Sequence, residues 1–327
     1  MSVSRCLITA VAARQPVIPA EPQVSNNTWL ARDLDRRCGW RLAHVEREYV
    51  KFAFRHYRQS GATPISRVSL PNTVKMAAML LQDELDALRD KCCENTPPHS
   101  RRVRQEAIDN LVSSGIAERA IHAGDYAPEF RLRDPDGKTI SSYAVRNGGP
   151  VLIVFYRGGW CPYCKLDLHA IQAVATELRS SGASIIAISQ QSANESRSTE
   201  RLNGLSFPSL VDRGGKVSRA FGLRWKLSRE SRAAEIECGL DLAAVNGESS
   251  WTLTMPARYV IGPEGIVEYA DISANYTRRC DPTELFPVLS QIRARLAHRS
   301  SAVAGSAFQK ACPIVQTRPT RVSSRRQ

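Results

Sequence analysis

The chain has 327 residues, 43% of them hydrophobic, enough for one sizeable α/β core with flanking segments. No run of eighteen apolar residues occurs, which excludes a transmembrane helix on length, and nine cysteines without dense spacing argue against a disulfide framework and for a reducing, cytoplasmic setting. The formal charge is +13, but residues 1–75 carry +7 and residues 298–327 carry +6, while 76–297 holds 27 residues of each sign; a nucleic-acid-binding domain would hold its basic stripe on the folded core, so no nucleic-acid partner is expected.

Residues 1–75 show little patterning and read as a poorly structured basic extension. Within it residues 1–20 carry Arg5 and Arg14, no acid and a short apolar run at 7–13, a faint likeness to a targeting segment that fits an arbitrary extension better. Met76 stands where the patterned part begins. From residue 74, Leu80, Leu81, Leu85 and Leu88 recur at helical spacing with acids between them, and Pro97 and Pro98 end that helix. A second helix is predicted over 101–120, with Ile108, Leu111 and Val112 on one face, so 76–122 forms a helical segment ahead of the main domain.

Over 123–297 apolar strands alternate with helical patterns, the order expected of a largely parallel sheet with crossover helices. Strands are predicted at 129–132, 150–156, 183–189 and 207–211, and a hairpin at 258–270 around Gly262-Pro263-Glu264-Gly265. Helices are predicted at 161–180, 192–202, 216–221 and 281–297. Residues 222–250 lack periodicity and read as a long insertion, and 298–327, rich in Ser, Ala and Arg, as a disordered tail.

The chemistry concentrates where the strand ending at Tyr156 meets the helix starting near Cys161. The unpaired N–H groups and positive dipole end of a helix N-terminus favour a thiolate there, and positions three apart share a face, so Cys161 and Cys164 are placed to be reactive and to form a disulfide. Pro162 suits a first helical turn because its missing N–H would have no partner. No second Cys-X-X-Cys or His-X-His pair accompanies the motif, so a zinc site is not expected, and nothing calls for an organic cofactor. Cys92, Cys93, Cys238, Cys280 and Cys312 lack a helix-start or basic setting and read as structural thiols, and His169 reads as a partly exposed helix residue.

The run Phe155-Tyr156-Arg157-Gly158-Gly159-Trp160-Cys161-Pro162-Tyr163-Cys164 resembles the peroxiredoxin-like branch of the alkyl hydroperoxide reductase/thiol-specific antioxidant superfamily. The likeness spans about residues 76–297. It extends to Asp125-Tyr126-Ala127-Pro128-Glu129-Phe130, Ala187-Ile188-Ser189, Asn246-Gly247, Ser250-Trp251, Met255-Pro256-Ala257 and Tyr276-Thr277-Arg278-Arg279. It implies a thioredoxin-like α/β fold, a central mixed sheet flanked by helices, here with an N-terminal helical extension. It also implies a peroxidase that reduces a hydroperoxide through a sulfenate and disulfide cycle reset by a thioredoxin-type dithiol, or alternatively a disulfide reductase.

Against the family's Pro-X-X-X-Thr-X-X-Cys pattern, Arg157 stands at the Pro, Cys161 at the Thr, Cys164 at the peroxidatic Cys and Asp167 at the usual Glu. The Trp160-Cys161 pair of the thioredoxin pattern would make Cys161 the attacking sulfur, but the superfamily register implies Cys164, which is the expectation here. The family's active-site Arg falls at Pro256, which resembles the cis-proline facing the thiols of thioredoxins. Arg157 or Arg258 then remains to supply positive charge, and Trp160 to screen the site from water, beside surface or packing roles for each.

Overall fold

The structure, a computed structural model, describes residues 72–311. The expected targeting-like segment, nearly all of the basic extension, Cys312 and the end of the tail lie outside the described residues.

Two helices come first, α1 (Asn72–Asn95) and α2 (Pro98–Ser113). Pro98 takes the first helical position of α2, and Gly115 lies just past its end at φ 64°, so the helix stops short of the expected residue 120. The sheet-forming part opens with β1 (Arg131–Arg133), β2 (Thr139–Ser141) and a short helix α3 (Ser142–Arg146). Next come β3 (Val151–Phe155), α4 (Pro162–Ala173), α5 (Ala175–Ser180) and β4 (Ser184–Ser189). They lead into α6 (Ala193–Leu202), β5 (Ser209–Val211) and α7 (Lys216–Ala220).

The segment expected to be an unpatterned insertion holds β6 (Arg224–Lys226), α8 (Arg229–Glu237) and α9 (Leu242–Asn246), and is followed by β7 (Thr252–Thr254). These elements are short, and they share only a small core of Leu227, Leu242 and Leu253 against Trp160, Trp225 and Trp251, too few apolar positions for a readable period. The chain ends with β8 (Ala257–Ile261), β9 (Val267–Ile272), a 3₁₀ turn at Pro282–Glu284 and α10 (Leu285–Ala311), which runs past the end expected at residue 297.

Seven strands form one mixed sheet in the order β2-β1-β5-β4-β3-β8-β9; β6 and β7 form a separate antiparallel pair. β3 lies near the centre, parallel to β4 and antiparallel to β8, with Phe155 opposite both Ile188 and Ala257. All five of its residues are buried because both faces are covered. Leu152 and Val154 enter a core shared with α1, α4, α5 and α10, whereas Val151, Ile153 and Phe155 pack on the other side with Phe221, Leu223 and Tyr259. This architecture is the thioredoxin-like fold that the resemblance implies: a mixed sheet flanked by helices, preceded by a helical segment.

Two local differences bear on the site. The helix expected over 161–180 is broken at Val174 (φ −109°, ψ 10°), which lets Val174 and Ala175, neighbours that one straight helix would point about 100° apart, both face the core. No cis peptide bond occurs among the described residues, so Pro256 is not the cis-proline of the thioredoxin pattern. Met255 N–H donates to the Leu223 carbonyl (2.8 Å) and the Pro256 carbonyl accepts from Ser273 N–H (2.9 Å), which lead the chain extended from β7 into β8.

α1 is seated on α4: Leu81, Leu85 and Leu88 share the core of Tyr163, Cys164 and Leu168, and Leu85 is fully buried. Leu85→Ala is therefore expected to cost about 2–5 kcal/mol, read as a lower urea midpoint with an unchanged slope. Stability within ~0.5 kcal/mol of wild type would show that α1 is not part of the cooperative core.

Candidate active site

At the end of β3 the Tyr156 N–H still donates to Ile188 (3.1 Å), after which the chain turns through residues 157–160 into α4. The turn is tight. A Cβ on Gly158, whose φ is 152°, would run into the Trp160 indole nitrogen, and one on Gly159 into the Thr199 hydroxyl. Gly159 N–H donates to the Gln191 side-chain carbonyl (2.8 Å), and the Gln191 amide nitrogen is held by Tyr156 and Thr199, both at 2.9 Å. Cys161 then caps α4 with extended backbone, Pro162 occupies the first helical position, and Cys164 faces inward one turn on.

Both thiols are reduced and fully buried. Arg157, 5% exposed, approaches each of them: its backbone N–H lies 3.5 Å from the Cys164 sulfur, and its Nη1 3.8 Å from the Cys161 sulfur. Its guanidinium carbon is 4.7 Å from the ring centre of Trp160 and 3.9 Å from that of Tyr276, so two aromatic faces stabilise the cation where water cannot. Arg157 is thus buried beside the two sulfurs and not on the surface. Trp160 belongs to it as well, lining the cleft and flanking that cation.

Arg258 is also buried, but it reaches the thiols only through another residue. Its Nη2 pairs with Asp167 Oδ1 and its Nη1 donates to the Cys280 carbonyl (2.8 Å). Asp167 Oδ2 accepts from Arg279 Nε (3.1 Å), and Arg279 Nη2 lies 3.9 Å from the Cys164 sulfur. Arg279 is thus a guanidinium beside the Cys164 sulfur. The two guanidinium groups hold the Asp167 carboxyl below the usual carboxylate range despite burial, which pushes it the other way. A third ionic group closes the opposite side: Glu235 on α8 binds Arg104 of α2 (2.6 Å) and stands 4.0 Å from Arg157 Nη2.

This environment splits the two cysteines. Burial opposes charge on Cys161, but the adjoining Cys164 thiol, Arg157, the Cys164 N–H and Arg279 outweigh it and bring Cys161 down to about 6. Burial and then the neighbouring Cys161 push Cys164 well above an ordinary thiol, against the pull of Arg279 and Arg157. One sulfur is set to be a thiolate at neutral pH and the other to keep its proton. A cleft of about 450 Å³ leads to the first of them, with Cys161, Trp160, Tyr163, Arg104 and Tyr276 in its walls; Cys164 lies behind that wall.

Cys92, Cys93 and Cys238 also line the cleft, His169 is half-buried on α4, and burial pushes Cys280 up to about 12. Among the described residues no group of three or more His, Cys, Asp and Glu is placed to hold a metal ion, and no helix is long and apolar enough to cross a membrane.

Comparison with known proteins finds similarity over part of the chain. The sequence model of the AhpC/TSA family matches residues 123–270. Over that segment the chain is similar to proteins of the AhpC/TSA family. It is 32% identical over 111 residues to a chloroplastic peroxiredoxin Q of Triticum aestivum, covering 34% of this chain and 51% of that protein. It is also 32% identical over 117 residues to the thiol-disulfide oxidoreductase ResA of Halalkalibacterium halodurans, covering 34% of this chain and 64% of that one. The chain thus spans about half to two-thirds of the length of these relatives. Among solved structures, the peroxidoxin BcpB of Mycobacterium tuberculosis aligns at 20% identity over 53% of this chain and 97% of its own, with a TM-score of 0.42. The motif stands at the junction of β3 and α4, inside the matched span. Arg104, Tyr276 and Arg279 come from outside the family-matched span.

Two outcomes follow from the charge pattern. Because the Cys161 thiol is lowered to about 6, its alkylation by iodoacetamide should be nearly constant above about pH 7 and fall about tenfold per unit below the midpoint, whereas an ordinary thiol would keep gaining rate through pH 8. Asp167→Asn leaves two buried guanidinium groups without their carboxylate and should cost about 3–5 kcal/mol in chemical denaturation; a loss below ~1 kcal/mol would mean that neither arginine depends on it.

Proposed function

We propose that this chain is a thiol-dependent peroxidase in which Cys161 attacks a hydroperoxide and Cys164 resolves it. The observation that carries the reading is the placement of Cys161 in the wall of the cleft with a guanidinium beside its sulfur, while Cys164 is set behind it. This assignment follows the thioredoxin-like register of the motif rather than the superfamily register, which gives weight to Cys164.

The Cys161 thiolate attacks the terminal oxygen of the hydroperoxide. An S–O bond forms, the O–O bond breaks, and the departing alkoxide or hydroxide takes a proton to leave as alcohol or water; Cys161 becomes a sulfenic acid. Arg157, on the same side as the sulfur, favours both the thiolate and the negative charge that develops on the leaving oxygen. Oxidation then changes Cys164. The Cys161 anion and its hydrogen bond, two of the influences raising Cys164, are gone, and Arg279 at 3.9 Å now favours its thiolate. Cys164 attacks the sulfenic sulfur, water leaves, and the Cys161–Cys164 disulfide forms. A thioredoxin-type dithiol supplies the two electrons and two protons that restore both thiols. No metal or organic cofactor enters these steps. The undense cysteine set supports a reducing, cytoplasmic setting for this cycle.

A second reading, disulfide reductase with little peroxidase activity, is favoured by the Cys-X-X-Cys spacing and the similarity to a thiol-disulfide oxidoreductase. Stopped-flow reaction of the reduced protein with hydrogen peroxide and an organic hydroperoxide separates the two. Cys161→Ser should abolish the fast oxidation, and Cys164→Ser should keep a single fast oxidation yet lose turnover and leave a trappable sulfenic acid. Fast oxidation surviving in Cys161→Ser and lost in Cys164→Ser would reverse the roles, and a wild-type rate no better than a free thiol would leave the disulfide reductase.

A further inference from the structure

Glu235 has no place in the chemistry just described, yet it is a carboxylate only 6% exposed, beside the guanidinium that lies 3.8 Å from the Cys161 sulfur. Its two oxygens are used differently. Oε2 binds Arg104 Nη2 at 2.6 Å, a full charge-assisted bond, whereas Oε1 stands 4.0 Å from Arg157 Nη2, within attraction but beyond bonding distance. Arg157 itself reaches the sulfur at 3.8 Å through Nη1, with Nε buried and unpartnered, and is clasped between the Trp160 and Tyr276 rings. A guanidinium so placed can slide between the ring faces toward either anion, and neither contact is closed.

We propose that Glu235 is a positioning residue that competes with the Cys161 sulfur for the Arg157 guanidinium, with Arg104 as the counterweight that limits its pull. The inference rests on Cys161 as the attacking thiol. Facing the sulfur and the guanidinium are Cys164 from α4, Tyr276 and Arg279 from the segment after β9, and Glu235 from α8; Arg104 from α2 faces Glu235 in turn. The signs of two substitutions are therefore opposed. Glu235→Gln removes the competing anion and leaves the cation to the sulfur, which favours the thiolate. Arg104→Gln releases Glu235 toward Arg157 and disfavours the thiolate. Because α2 precedes the family-matched span and α8 lies in the segment without sequence periodicity, the reactivity of the motif is set by parts of the chain that carry none of it.

The test is the pH profile of iodoacetamide alkylation of the full chain, with the modified cysteine identified by mass spectrometry and folding checked by circular dichroism. The midpoint for Cys161 should move down by about half a pH unit in Glu235→Gln and up by a similar amount in Arg104→Gln, each roughly threefold in thiolate fraction below the midpoint. In an Arg157→Gln background both shifts should collapse. Arg104 is 30% exposed at its side chain, so its variant serves if the loss of buried Glu235 prevents folding. Alkylation at Cys164 in place of Cys161 would overturn the assignment of the attacking thiol and this role with it. Cys161 reacting with an unmoved midpoint in the folded variants, or shifts that persist in full without Arg157, would overturn the role of Glu235 alone.

Discussion

Everything around the motif depends on one constraint: a charge taken out of water must be met by another, and the strand-to-helix junction is buried apart from the cleft at Cys161. Arg157, Asp167, Arg258 and Arg279 are buried there with the two cysteines, and Glu235 is buried at the margin. Asp167 satisfies two guanidinium groups at once, Glu235 satisfies Arg104, and Arg157 is held by ring faces and a sulfur. The chain positions these groups with unlike elements, and the same contacts that neutralise them fix α2, α4, α8, β8 and the segment after β9 relative to one another. Stability and reactivity therefore share the same atoms.

That sharing explains why two thiols on one helical turn differ so much. A helix N-terminus alone would favour charge on both sulfurs, but two anions in so small a dry volume repel each other, so one proton stays. The sulfur with the cleft and the nearer guanidinium carries the charge. In the proposed cycle, oxidation of that sulfur would remove the repulsion.

Much of the fold was legible in the sequence. The five apolar residues of β3 mark a strand covered on both faces, the leucines of α1 mark its inward stripe, and Pro97 and Pro98 mark where it ends. Short elements were not legible: β6, α8 and α9 bury only a few apolar side chains each, below what a period needs. In the site, Cys161, Cys164, Trp160 and Arg157 stand within eight residues and could be read together. Arg258, named from the sequence as a source of charge at the thiols, pairs with Asp167 rather than with a sulfur, and Pro256 has a trans bond. Arg279 lies 115 residues from Cys164, and Glu235 131 residues from Arg104, with no local pattern joining them. The Tyr276-Thr277-Arg278-Arg279 run belongs to the resemblance, which was the one signal available, though it assigns no role to Arg279.

The seating of α1 has a consequence for where the working unit begins and ends. Gln82 on that helix accepts from the Arg279 backbone N–H (3.2 Å), so a side chain ahead of the family-matched span braces the loop whose arginine meets Cys164. A fragment cut to residues 123–270 would keep both cysteines, Arg157 and most of the sheet, and would lose Arg104, Tyr276, Arg279 and the helix that steadies them. Such a fragment would keep the guanidinium beside Cys161 and lose the one that faces Cys164, so the part of this chain that sets the surroundings of both sulfurs is larger than the span the family model matches.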